Sequence, residues 1–141
     1  MRQIVIASHA HFATGILESI ELLAGKQDNV RAVPFFVDGN DDVAAMAERI
    51  VADVPAGDDL VVATDILGGS VNNEFLKAMQ THDNVYLATN TNLPFLLQLV
   101  LASEESSTAD ILREFVGSDD TCVKFMNDVL AASDTEGDDE F

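Results

Sequence analysis

The chain has 141 residues, 48% of them hydrophobic, and a formal net charge of −18 from 25 acidic and 7 basic side chains. This length suits one domain with a sizeable core, and the acidity argues against nucleic acid or anionic membranes as partners, because both are bound by neutralising phosphates with Lys and Arg. No apolar stretch approaches the ~20 residues of a membrane span, no basic region followed by a hydrophobic core opens the chain, and the single cysteine, Cys122, allows no internal disulfide, so a reducing cytoplasm is the expected compartment.

Strand and helix signals alternate. Residues 3–7, QIVIA, are an uncharged β-branched run, the pattern of a strand buried on both faces. His9 and His11, two of the three histidines, follow directly. Ile16, Leu17, Ile20, Leu23 and Ala24 then recur at helical spacing, and Gly25 is a helix stop. Residues 30–37, VRAVPFFV, read as a second strand that Pro34 confines to a sheet edge. Asn40 or Asp41 can cap a helix with apolar positions Val43, Met46, Ala47 and Ile50, before Pro55 and Gly57 break the chain. A third strand, residues 59–65 (DLVVATD), turns through Gly68 and Gly69 into a helix that Ser70 is expected to cap. A fourth strand spans residues 84–90, and helices follow around Leu93–Val100 and over residues 107–115. Residues 121–131 fit a strand or a helix equally, and the acidic residues 133–141 carry no apolar periodicity and read as a disordered tail after a domain of residues 1–132.

This alternation predicts an α/β fold, an open three-layer sandwich around a mainly parallel sheet of order 2-1-3-4. In such sheets chemistry sits beyond the carboxyl ends of the strands where strand order reverses, here between strands one and three. Strand one ends in Ser8-His9 and strand three in Thr64-Asp65, so an imidazole and a carboxylate are expected side by side. A carboxylate on one ring nitrogen fixes the tautomer and leaves the other nitrogen a free lone pair, as a nucleophilic histidine requires. Helix starts near Ala10–Ala13 and at Gly68-Gly69-Ser70 offer backbone N–H groups to an anion. No lysine or arginine is near either turn in sequence, so a phosphoryl group there would be held by neutral donors. Other readings stay open at this level. His9 can be a plain loop residue, Asp65 a turn or capping aspartate, Gly68 and Gly69 mere turn formers, Thr64 and Asn90 strand ends, and His9-x-His11 a weak metal pair without an acidic or cysteine ligand at metal-site spacing. His82, in THDN, reads as an exposed loop residue.

The stretches IVIASHAHFATGILESIELLAG and VVATDILGGSVNNEF, in that order, resemble the enzyme IIA component of mannose-type (mannose/fructose/sorbose) phosphoenolpyruvate-dependent sugar phosphotransferase systems, and the likeness runs to about Met126. The resemblance implies a phosphohistidine carrier loaded by the phosphocarrier protein HPr, which then phosphorylates its cognate enzyme IIB and so serves membrane sugar permease subunits indirectly. By motif match His9 would be phosphorylated, Asp65 would orient it, and Ser70, with Gly69 and Ala10, would bind the phosphoryl group. No metal or organic cofactor is implied. Family members are similar homodimers that can exchange a C-terminal strand, for which residues 121–126 are the match. The chain departs from the family pattern at Ala10, commonly Gly, and at Val71, often Pro. Three alternatives remain. A receiver-like regulatory domain would want an acidic pair where Ser8-His9-Ala10-His11 stands, and a nucleotide or flavin module would want a glycine-rich loop after strand one. The phosphotransferase subunit serving dihydroxyacetone kinase shares the histidine and differs in partner.

Overall fold

The strand-helix alternation is realised in a computed structural model, which describes residues 1–136. In chain order the elements are β1 (Arg2–His9), α1 (Phe12–Ala24), β2 (Val30–Phe35), α2 (Val43–Ala52), β3 (Asp59–Thr64), α3 (Ser70–Met79), β4 (Val85–Ala88), α4 (Leu93–Leu101), α5 (Thr108–Val116), a 3-10 turn (Asp119–Thr121) and α6 (Met126–Glu136). The sheet has the order β2-β1-β3-β4 and every pairing is parallel. β1 and β3 are its inner strands, which is why Ile4–Ala7 and Leu60–Thr64 are buried without alternation. Pro34 sits on the edge strand β2, where its missing N–H costs no ladder bond on the open side.

The two faces of the sheet are covered separately. Val43, Ala47, Ile50 and Val51 of α2 and Val71, Phe75 and Ala78 of α3 pack with Val5, Ala7, Phe35 and Val62 on one face. Ala13 and Ile20 of α1, Phe95, Leu96 and Leu99 of α4, and Ile111 and Leu112 of α5 pack with Ile4, Ile6, Val61 and Ala63 on the other. The three layers are those expected. No helix among the described residues is long and apolar enough to cross a membrane.

Several boundaries differ from the sequence reading, for local reasons. β2 ends at Phe35 because Phe36 takes a left-handed φ of 66°, and β4 is bracketed by left-handed Asn84 and Asn90. α2 is capped by Asp42, whose carboxylate accepts from the Ala45 N–H, and not by Asn40 or Asp41. Asn40 is used instead inside the loop, where its amide donates to the Pro34 carbonyl. Leu23 fits the helical spacing of α1 but lies at the margin of its buried stripe and is 62% exposed. In residues 121–126 the 3-10 turn closes at Thr121, Cys122 is extended and α6 begins at Met126, so among the described residues this stretch joins no strand of its own chain. The first part of residues 133–141 is not irregular, because α6, once nucleated, continues through Glu136. Residues 137–141 lie outside the described residues.

Candidate functional site

The strand order brings the ends of β1 and β3 together, since Ala7 pairs with Thr64 and the next residues on each side lead to His9 and Asp65. One oxygen of Asp65, Oδ2, accepts from the backbone N–H of His9 at 2.8 Å and lies 2.9 Å from its ring Nδ1. A carboxylate only accepts, so the proton of a neutral imidazole resides on Nδ1 and the lone pair is on Nε2. The other oxygen, Oδ1, accepts from the Ile66 N–H at 3.0 Å and fixes the carboxylate plane. The Asp65 side chain is 12% exposed and that of His9 37%, so the pair is sheltered while the ring can be reached from outside.

The backbone that aims the ring is a tight turn. Ala10 has φ 51°, a left-handed conformation at a residue with a Cβ, and its N–H donates to the Phe35 carbonyl at 2.8 Å. The buried Ser8 hydroxyl donates to the Ala10 carbonyl at 3.0 Å and accepts from the Ala13 N–H at 2.8 Å. Ser8 therefore supplies the side-chain cap that His11, at the N-cap of α1, does not. These bonds correct one expectation. The amides of Ala10 and Ala13 are spent inside the turn, which leaves Ala10 without a free N–H for an anion.

α3 offers more. Its first internal bond runs from the Asn73 N–H to the Gly69 carbonyl, so the amides at its start have no partner within the helix. Ser70 is the first helical residue, Gly69 occupies the N-cap, and no side chain caps the helix, contrary to the capping role expected of Ser70. Gly69 is required for space and not for conformation. A Cβ built on it would stand 2.6 Å from Cε1 and 3.2 Å from Nε2 of His9. The imidazole thus presents its free nitrogen at the N-terminus of α3, where the helix dipole favours negative charge.

The remaining neighbours come from other loops. Phe36 lies against the imidazole with ring centroids 5.5 Å apart. His11 Nε2 meets the Asp38 carboxylate at 2.9 Å, so His9 and His11 address different carboxylates instead of a common centre. His82 sits in the exposed turn between α3 and β4, with Nδ1 near the Ala78 carbonyl, away from the site. The sequence reading of strand ends misses two residues. Ser8 was visible only as a strand terminus, and Asn72, inside α3, bonds back to the Leu67 carbonyl through its amide at 3.2 Å.

The comparisons agree with this architecture. A family model described as the PTS system fructose IIA component, EIIA-man, matches residues 3–116. The PTS system fructose-specific EIIA component of Bacillus subtilis (strain 168) is 25% identical over 145 residues, covering 99% of each chain. A Klebsiella pneumoniae structure assigned to a phosphoenolpyruvate-dependent sugar phosphotransferase system permease superposes with a TM-score of 0.84 at 33% identity, over 92% of this chain and 93% of that one. The phosphotransferase system component EIIA of Streptococcus agalactiae superposes with a TM-score of 0.70 at 31% identity, over 82% and 89%. The match over most of the sequence, on a fold whose strand order joins His9 to Asp65, places the chain in the EIIA-man family of phosphotransferase-system IIA components.

Proposed function

We propose that the chain carries phosphoryl groups from phosphorylated HPr to its cognate enzyme IIB on Nε2 of His9, in the cytoplasm and without a metal or organic cofactor. The observation that carries this reading is the shared oxygen of Asp65, which holds both the backbone and Nδ1 of His9 and leaves Nε2 as the only nucleophilic ring nitrogen. In the forward step the Nε2 lone pair attacks phosphorus, an N–P bond forms, and the donor's bond to phosphorus breaks with its electron pair leaving on the donor. The ring keeps its Nδ1 proton and becomes cationic, and Asp65 stabilises that charge through the bond already present. The three phosphoryl oxygens then face the first amides of α3 and the Ser70 hydroxyl, which act by position and dipole. Transfer to enzyme IIB is the same step reversed.

The charge layout suits a group that must be released again. Arg2 and Arg31 lie at the beginnings of their strands, and Arg49 and Lys77 in the last turns of their helices, at the end of the sheet remote from His9. Lys124, after the 3-10 turn that Asn92 binds, is paired with Asp119 at 3.1 Å. A phosphoryl group held by neutral amides is not trapped by a paired cation. The net charge of −18 also favours encounter with a basic partner face.

We further assign residues 121–126 as a strand exchanged between two copies in a homodimer. Among the described residues β4 pairs on one side only, with β3, and the stretch carries Val123 and Phe125, 94% and 65% exposed. A strand from a second copy would complete the edge and cover these side chains.

Incubation with phosphoenolpyruvate, enzyme I and HPr is expected to give one acid-labile, alkali-stable phosphate, on Nε2 by 31P and 15N NMR; a His9→Ala protein that still takes label would refute the assignment. Asp65→Asn, which can no longer accept from both donors as an anion, is expected to keep its circular dichroism spectrum and to lower the transfer rate by about 10²-fold or more; an unchanged rate removes its role. Gly69→Ala should force the imidazole aside, weakening the Nδ1–Asp65 bond and slowing phosphorylation by roughly 10²-fold, as a small misplacement of reacting atoms does; wild-type kinetics would show that the ring is not held there. Analytical ultracentrifugation should give a dimer for the full chain and a monomer after Phe125→Asp and Val123→Asp; a monomeric full chain sinks the exchanged strand.

A further inference from the structure

We infer that Asn90 is a positioning residue for His9, acting through the loop that joins β3 to α3; this rests on the phosphoryl-carrier reading above. The loop, residues 65–69, begins with the carboxylate that holds Nδ1 and ends with the glycine that seats the ring. Its two large side chains cannot anchor it by packing, because Ile66 is 52% and Leu67 61% exposed. Polar bonds do so instead. The Leu67 N–H donates to Asn90 Oδ1 at 3.2 Å, and the Leu67 carbonyl accepts from Asn72 Nδ2 at 3.2 Å. Both backbone groups of the middle residue are therefore clamped, one from α3 and one from the exit of β4.

The Asn72 side of the clamp is built into the core. Asn72 and Thr64 are both buried, and the Thr64 hydroxyl donates to Asn72 Oδ1 at 2.8 Å. Since that proton is committed, the Thr89 hydroxyl, also 2.8 Å from Thr64, donates to it in turn. The amide of Asn72 is thereby fixed with its nitrogen toward Leu67. The Asn90 side has no such support and is exposed, and it is bought with a left-handed φ of 56°. Asparagine tolerates that conformation better than other residues with a Cβ, and here its side chain turns the conformation to use. Without this bond Leu67 is tied at its carbonyl alone, and rotation of the 67 peptide moves the stretch between Asp65 and Gly69.

Asn90→Gly isolates the side chain, because glycine adopts the same φ without strain. Its Leu67 amide is expected to exchange hydrogen faster by NMR, and its single-turnover phosphorylation by phosphorylated HPr to slow roughly 10- to 100-fold, with thermal stability near that of the wild type. Asn90→Asp keeps an acceptor oxygen and is expected to restore protection of the Leu67 amide. A glycine variant with rapid Leu67 exchange and an undiminished rate overturns the proposal, as does a Leu67 amide that stays protected. A wild-type chain that takes no phosphate from HPr overturns the carrier reading itself, and is told apart by the unsubstituted control.

Discussion

The site depends on one carboxylate oxygen serving two donors on the same residue. Asp65 Oδ2 binds the peptide N–H and the ring Nδ1 of His9, so the backbone direction at the end of β1 and the tautomer of its side chain are set together. Neither bond is available unless β1 and β3 are neighbours and parallel, with their carboxyl ends at one edge. The order β2-β1-β3-β4 provides this. A sheet with β1 beside β4 would bring the same histidine against different neighbours and leave it an ordinary loop residue. The chemistry is a property of strand order before it is a property of any side chain.

That dependence explains how much could be read in advance. The uncharged run before Ser8, the helical spacing after it and the punctuation by Pro and Gly were enough to place His9 and Asp65 at adjacent strand ends, because both are fixed by topology. What was not legible involves approach and angle. Gly69 reads as a turn glycine or, by the family resemblance, as a phosphoryl contact, and neither reading reveals that a Cβ has no room beside the imidazole. Ala10 reads as a small departure from the family's glycine, whereas its backbone is fully consumed by Phe35 and Ser8. Ser70 fits a capping pattern yet sits one residue too far along, with Gly69 at the N-cap. Asn40, Asp41 and Asp42 are three competent caps in a row, and the choice among them follows from where the loop after β2 delivers the chain. Periodicity marks faces, and it carries no information on which of several equivalent side chains meets a given amide.

The distribution of backbone strain completes the picture. Among the described residues, five other than glycine have left-handed φ, and four of them, Ala10, Phe36, Asp38 and Asn90, lie in the loops that leave the carboxyl ends of β1, β2 and β4. Each such residue costs of order 1 kcal/mol or more. Each is also tied by a specific bond: the Ala10 N–H to Phe35, the Phe36 N–H to Asn40, the Asp38 carboxylate to His11 and the Asn90 side chain to Leu67. These bonds offset the strain only in the conformation that creates it, so loosening a loop forfeits the bond without recovering contacts elsewhere. The stability that tolerates this comes from the two apolar clusters on the sheet faces, which the loops do not enter. The hold on His9 thus does not come from burial, since its side chain is 37% exposed. It comes from short polar ties across strained turns, which hold Nε2 of His9 in place while leaving it exposed, as the proposed exchange of a phosphoryl group with partner proteins requires.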